Sequence, residues 1–428
     1  MNNEGFLRAG WIADTNIYEV NIRQYTAEGT FNAFARSIPR LKDMGVEVLW
    51  LMPIHPIGKI NRKGTLGSYY SIADFKGVNP EFGTAADLKN LVDLAHHYGM
   101  KIILDWVANH AAWDNVWTTD HPEYFVRDEQ GNFKAPYDWT DVIQIDHSNT
   151  AQHDAMIDAM RYWVTEFDID GFRADLAHLT PLDFWRKART AIEPLKQDLF
   201  WLAESEEIGY LEVFDATFTW EWMHATEKFY KENQDLTVLN NVLDKYRNGF
   251  PETAYRMYFT SNHDENSWNG TGEEKYGDML KALAVFSCTY NGIPLVYSGE
   301  ELPNRKRLRF FEKDIIEWTG IFLLHEFYKT LFALRKRNPA LRAADPSVST
   351  YQVTMDAGKK LMGWMRKKDE HEVLVFLNFG KENSSVAIRD EFVNGTFINV
   401  FEGTEIKLMP GSEISIEPWA YRVLEKKQ

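Results

Sequence analysis

The run KIILDWVANH, Lys101 to His110, opens with aliphatic residues and closes on a cluster of polar ones. An apolar segment this short and this continuous reads as a strand buried on both faces, the habit of parallel sheets. Seven further runs share the pattern: NIYEVNIRQY from Asn16, VEVLWLMPI from Val46, DGFRAD from Asp170, LFWLAES from Leu199, FDATF from Phe214, RMYFTSNHD from Arg256 and IPLVYSGEE from Ile293. Amphipathic stretches of helical period separate them, among them AQHDAMIDAMRYWVTEF from Ala151 and YGDMLKALAVFSCTY from Tyr276. Eight strand–helix units predict an α/β fold, a (β/α)8 TIM barrel enlarged by its loops.

Around that barrel the texture changes twice. The stretch after the third strand is rich in Trp, Asp, His and Pro, which predicts a short inserted domain over 111–148. Pro339 and Pro346 bracket a boundary, and period-two runs such as EVLVFLNF, FINVFEG and ISIEPWAYRVLE follow. The expected division is a catalytic barrel over 1–345 and an antiparallel C-terminal β-domain, a β-sandwich, over 346–428.

Composition narrows the partners. Among 428 residues, 47 are Lys or Arg and 63 Asp or Glu, a net charge of −16, and 14% are aromatic. So acidic a chain lacks the basic face that nucleic acid requires. No apolar run approaches the ~18 residues that would span a bilayer, so no membrane partner is expected. One cysteine, Cys288, excludes an intramolecular disulfide framework. MNNEGFLRAG lacks the features of a signal peptide, which predicts a cytoplasmic protein if Met1 is the native start, and a periplasmic or secreted one if a signal peptide has been removed.

Reactive groups of such barrels project from the carboxyl ends of the strands. Those ends carry Asp105, Asn109 and His110; Arg173 and Asp175; Glu204; His263 and Asp264; and Glu300 and Glu301. From Asp175 to Glu204 is 204 − 175 = 29 residues, about one strand–helix unit, and from Glu204 to Asp264 is 264 − 204 = 60, about two. Carboxylates converging on one mouth either hold a metal or divide acid and nucleophile roles across a glycosidic bond. No DxDxDG loop is present. Arg173, on the same strand face as Asp175, is expected to lower its pKa and keep it ionised, while Glu204, beside Leu202 and Ala203, is the candidate for a raised pKa. GxSxG, HExxH, GxGxxG and Walker patterns are absent.

At these residues the sequence resembles the α-amylase family, glycoside hydrolase family 13. Its four signature regions have counterparts in DWVANH (Asp105 to His110), GFRAD (Gly171 to Asp175), AES (Ala203 to Ser205) and SNHDE (Ser261 to Glu265). The resemblance implies Asp175 as nucleophile, Glu204 as general acid/base and Asp264 as the third carboxylate. It also implies that Arg173 orients Asp175, that His110 and His263 bind sugar hydroxyls, that Asp105 orients its own loop and that Tyr70 lies beneath the reacting sugar. Trp106, Trp113, Trp117 and Trp139 divide between packing and groove lining. The implied activity is retaining hydrolysis of α-glucosidic bonds, foremost α-1,4 bonds, in starch, maltodextrins or related α-glucans. The alternatives are a transglycosylase, cyclomaltodextrinase or α-glucosidase of the same family, and a catalytically inactive carbohydrate- or protein-binding barrel. No cofactor is required for this chemistry. The resemblance raises a structural calcium through Asn109 and a group such as Asp146, although the insertion is short and His178 falls three residues after Asp175 rather than four.

Overall fold

The computed structural model describes residues 6–356 and 358–427. Eight parallel strands form the barrel: β1 (Ile17–Val20), β2 (Val48–Leu51), β3 (Lys101–Trp106), β4 (Gly171–Ala174), β5 (Phe200–Ala203), β6 (Ala216–Phe218), β7 (Tyr255–Tyr258) and β8 (Ile293–Tyr297). They close in the order β1-β8-β7-β6-β5-β4-β3-β2. Each lies within one of the eight apolar runs, except that β7 begins one residue earlier at Tyr255, and all their residues are buried except Lys101. The chain divides into two compact units. One, mainly Tyr18–Phe218 with Lys306–Glu317, carries β2 to β6 and most of β1; the other, Trp11–Ile17, Thr219–Arg305 and the chain from Trp318 onward, carries β7, β8 and the C-terminal sheet.

In the first unit, register decides which side chains meet. Trp50 pairs with Ile103, Asp105 with Arg173, and Arg173 with Leu202. Directly paired residues share a face, and so do residues two apart. Trp50, Asp105, Arg173 and Asp175 therefore all lie on one face. The ladder runs past the strand ends, with Asp175 N donating to Trp106 O at 2.9 Å and Glu204 N to Ala174 O at 3.0 Å. Helices start where side chains cap them: Thr84 and Asp87 form a capping box on Ala85–His97, and Asn149 caps Thr150–Phe167. After β3 the chain forms a small hairpin, in which His110–Ala111 pairs antiparallel with Ile143–Gln144.

In the second unit, wholly buried Arg335 donates to the carbonyls of Ala13, Thr15, Cys288 and Gly292, fastening the segment before β1 beside the start of β8. The C-terminal strands are β9 (Ser349–Gln352), β10 (Leu361–Lys368), β11 (His371–Asn378), β12 (Ser384–Ala387), β13 (Gly395–Asn399), β14 (Glu405–Leu408), β15 (Glu413–Ile416) and β16 (Tyr421–Lys426). Six form an antiparallel sheet in the order β9-β10-β11-β16-β13-β14, and β12 pairs with β15. Leu374, Phe376 and Phe397 of the larger sheet share a core with Val386, Ile414 and Ile416 of the smaller one. Among the described residues no helix is long and apolar enough to cross a membrane.

Gly171 opens β4 at φ +155°, and a Cβ there would lie 2.0 Å from the Phe200 carbonyl oxygen. That oxygen is backbone of the neighbouring strand and has no room to retreat. Gly171→Ala is expected to destabilise the protein by about 3 kcal/mol or more. Chemical denaturation of the purified variant, or its failure to accumulate in soluble form, checks this.

Candidate active site

The strand ends of the first unit gather Tyr70, Asp105, Arg173, Asp175 and Glu204 into one buried network. Arg173 is wholly buried. Its Nη1 donates to Asp105 Oδ1 and to Asp175 Oδ1, both at 2.8 Å, and its Nη2 lies 2.9 Å from Glu204 Oε2. Its guanidinium also sits 4.9 Å from the Trp50 ring and 5.5 Å from that of Phe218, which completes an aromatic sleeve. Leu176, directly after Asp175, takes the left-handed conformation at φ 40° and donates its N–H to Glu204 Oε2 at 2.7 Å. Non-glycine residues adopt that conformation at an energetic cost, and here it aims a backbone donor at a carboxylate.

Asp105 is wholly buried, accepting Arg173 at one oxygen, and Trp50 Nε1 at 3.1 Å and the Tyr70 hydroxyl at 3.0 Å at the other. It anchors the arginine and the tyrosine. Tyr70 in turn is stacked on Phe310, with ring centroids 6.3 Å apart at 16°.

The titration of Asp175 corrects an expectation. Burial pushes its carboxyl well above the usual carboxylate range; Arg173 pulls it down, and the charges of Glu204 and Asp105 push it up again. One guanidinium cannot balance three carboxylates in a buried site, so the pKa of Asp175 rises despite Arg173.

His110 lies at the foot of the small hairpin, buried, with its Nδ1 3.2 Å from the Asn109 amide and its ring 5.6 Å from Trp139. Burial pushes its pKa down to about 4, against the pull of Asp141, so the ring is neutral near pH 7. Trp139 leans on Tyr137, which is 71% exposed. Trp106 is core, and Trp117 packs on Phe75 at 4.8 Å. In the second unit, His263 Nε2 and Asp264 Oδ2 form their own pair at 3.3 Å beyond β7. Asp264 precedes a π-helical turn, Glu265–Asn269, whose Glu265 is gripped by fully buried Lys275. Turns of this kind are frequent at functional sites.

The residues suggested for calcium make local contacts through some of their polar atoms. The Asn109 amide nitrogen faces His110, and Asp146 Oδ1 accepts from Ser148 N and Oγ at 2.9 and 2.7 Å. Among the described residues, no group of His, Cys, Asp or Glu gathers around them. In the loop after β8, Lys306 pairs with Asp314, and Arg309 Nε lies 3.5 Å from the same carboxylate.

Trp50, Leu176 and Phe310 are site residues that the sequence reading missed. Only Trp50 carried a usable signal, its parity within VEVLWLMPI.

A parallel barrel whose strand ends collect carboxylates around one arginine defines a glycosidase type of site. The family model described as "Alpha amylase, catalytic domain" matches residues 12–148 and 126–317. The chain belongs to the alpha-amylase family of glycoside hydrolases. It is 27% identical over 399 residues to the alpha-amylase MalA of Haloarcula japonica, covering 88% of this chain and 57% of that protein. It is 28% identical over 380 residues to an alpha-1,4-glucan:maltose-1-phosphate maltosyltransferase of Rhodospirillum rubrum, covering 78% of this chain and 52% of that one. The chain thus spans little more than half the length of these two relatives. The crystal structure of the maltogenic alpha-amylase AmyB from Thermotoga neapolitana superposes with a TM-score of 0.89 at 30% identity, covering 97% of this chain and 99% of that one.

The titration of Asp175 sets an expectation for stability. Its proton is held more tightly in the folded chain than in the unfolded one, so folding loses stability as pH rises past the unfolded value of ~3.9. Asp175→Asn removes that penalty and leaves Arg173 two carboxylates. The variant is expected to melt higher than the parent at pH 7, with the gain shrinking towards zero near pH 4. Thermal denaturation across that range checks it.

Proposed function

We propose that this protein hydrolyses α-glucosidic bonds, chiefly α-1,4 bonds of starch, maltodextrins or related α-glucans, with retention of configuration. The observation that carries the reading is the shared grip of one guanidinium on Asp175 and Glu204. Groups held by the two nitrogens of one fork are close together. Retaining glycosidases space their carboxyl groups ~5–5.5 Å apart, whereas inverting ones leave ~6.5–9.5 Å for a water.

The chemistry follows from the proton count. With the proton on Glu204 and the charge on Asp175, the pair is ready to react. Arg173 Nη2 and the Leu176 N–H both address Glu204 Oε2, which leaves the proton to Oε1. Asp175 attacks the anomeric carbon while Glu204 passes its proton to the glycosidic oxygen, and the aglycone departs. Glu204, now ionised, takes a proton from water as that water displaces Asp175. Asp264 serves as the third carboxylate, facing the positive charge that grows on the sugar. His263 and neutral His110 bind sugar hydroxyls, and Tyr70, Tyr137 and Trp139 offer ring faces to the C–H surfaces of glucose units.

A second reading, transfer of the glycosyl group to another sugar, uses the same covalent intermediate. The likeness to a maltosyltransferase supports it. The two differ only in whether water or a sugar hydroxyl reaches the intermediate first.

Asp175→Asn is expected to lower kcat on soluble starch by about a thousandfold or more. Glu204→Gln should lower it ~10²–10⁴-fold. Reducing-end release measures both, and near-parental rates in either variant refute the assignment. By NMR the first product should be the α-anomer. A product profile on maltoheptaose, starch, pullulan and cyclodextrin then separates hydrolysis, which gives only shorter products, from transfer, which also gives longer ones.

A further inference from the structure

Asp264 has a side chain that is 40% exposed, and it directly precedes the π-helical turn Glu265–Asn269. The place of so exposed a carboxylate is set first by the backbone that carries it. That backbone is tied at Glu265, which is only 3% exposed and so out of reach of a substrate. Glu265 N donates to Asn262 Oδ1 at 2.8 Å, closing a loop around His263 and Asp264. Its carbonyl accepts Gly270 N at 2.8 Å, the five-residue bond of a π-turn. Its carboxylate accepts Asn269 Nδ2 at 2.9 Å on one oxygen and Lys275 Nζ on the other.

Lys275 is wholly buried. Its ammonium also reaches Met223 Sδ at 3.1 Å and lies 3.4 Å from Glu227 Oε2, both on the helix Trp220–Glu232. Three donors thus meet three partners. Lys275 sits in the short helix Gly272–Tyr276, which a capping box between Thr271 and Glu274 starts. Thr219, directly before the helix Trp220–Glu232, donates its hydroxyl to the Met257 carbonyl of β7 at 2.8 Å. The chain from β7 through Asp264 to Glu265 is therefore tied back, across the ion pair and that helix, to β7 itself. Buried ion pairs are weak sources of stability, because desolvation offsets their attraction, so geometry is what this one supplies. A π-turn holds one residue more than the commoner α-helical spacing. Breaking the pair frees the turn to take that spacing, and Asp264 at its start moves with it.

On the reading of Asp264 as the third carboxylate, we infer that Lys275 and Glu265 are positioning residues for it. Their ion pair holds Asp264 facing the charge that grows on the sugar. Both are closed to solvent, so their effect on the reaction passes through the backbone of the π-turn. A group that acts on charge developing in the transition state contributes to kcat more than to KM.

Steady-state kinetics on maltoheptaose, normalised to the folded fraction, test it. Glu265→Gln keeps the side-chain shape and leaves Lys275 with Glu227 as its counter-ion. It should lower kcat about ten- to hundredfold with KM near the parental value. Lys275→Met should lower kcat to a similar extent, and if either variant does not fold, the other carries the test. Asp264→Asn, measured beside them, separates the two levels of the reading. Loss of kcat in Asp264→Asn with parental kcat in Glu265→Gln overturns the positioning role alone. That outcome is what a merely structural pair gives, with any change confined to the melting temperature. A raised KM at parental kcat in Glu265→Gln overturns it as well. Parental kcat in Asp264→Asn overturns the reading of Asp264, and the positioning role with it.

Discussion

The guanidinium of Arg173 is the interaction on which the rest of the site depends. Three carboxylates converge on it: Asp105 from the neighbouring strand, Asp175 from its own and Glu204 from the strand beyond. Without that charge, three acids at the carboxyl ends of adjacent strands would repel one another in a site closed to water. With it, they are drawn together but left with more negative charge than the cation can balance. That imbalance raises the pKa of Asp175. The same arginine must be held still, and Asp105, Trp50 and Phe218 hold it.

Much of this was legible in the sequence, for reasons that can be assigned residue by residue. The eight barrel strands fall in the apolar runs, Tyr255 alone preceding its run by one residue, because a strand buried on both faces has no need of alternation. Arg173 and Asp175 could be placed together because residues two apart on a strand share a face. The joining of Asp105 and Glu204 to them could not be read. It depends on cross-strand register, which pairs Asp105 with Arg173 and sets Glu204 beside Ala174, and register is fixed by the packed barrel as a whole. Leu176 gives no warning of its left-handed backbone, since leucine is among the residues least suited to it.

The titration of Asp175 shows a different limit. Arg173 beside it, taken alone, argues for a lowered pKa. The opposite direction results from burial and from the number of acids sharing one cation, and both are properties of the folded site. Calcium was raised by resemblance to a family pattern, not by any spacing of donors; the Asn109 amide nitrogen and Asp146 Oδ1 make local contacts.

Arg335 carries a consequence for how the chain is made. Its partner Thr15 lies 320 residues earlier. At ~5–20 residues per second, on the order of tens of seconds separate synthesis of the two. Throughout that interval the segment before β1 has translated but has not met the donor that fastens it. Nascent barrels on the ribosome therefore pass through a long stage in which their last strands and their first segment are unjoined. The bonds from Arg335 to that segment form only near the end of barrel synthesis.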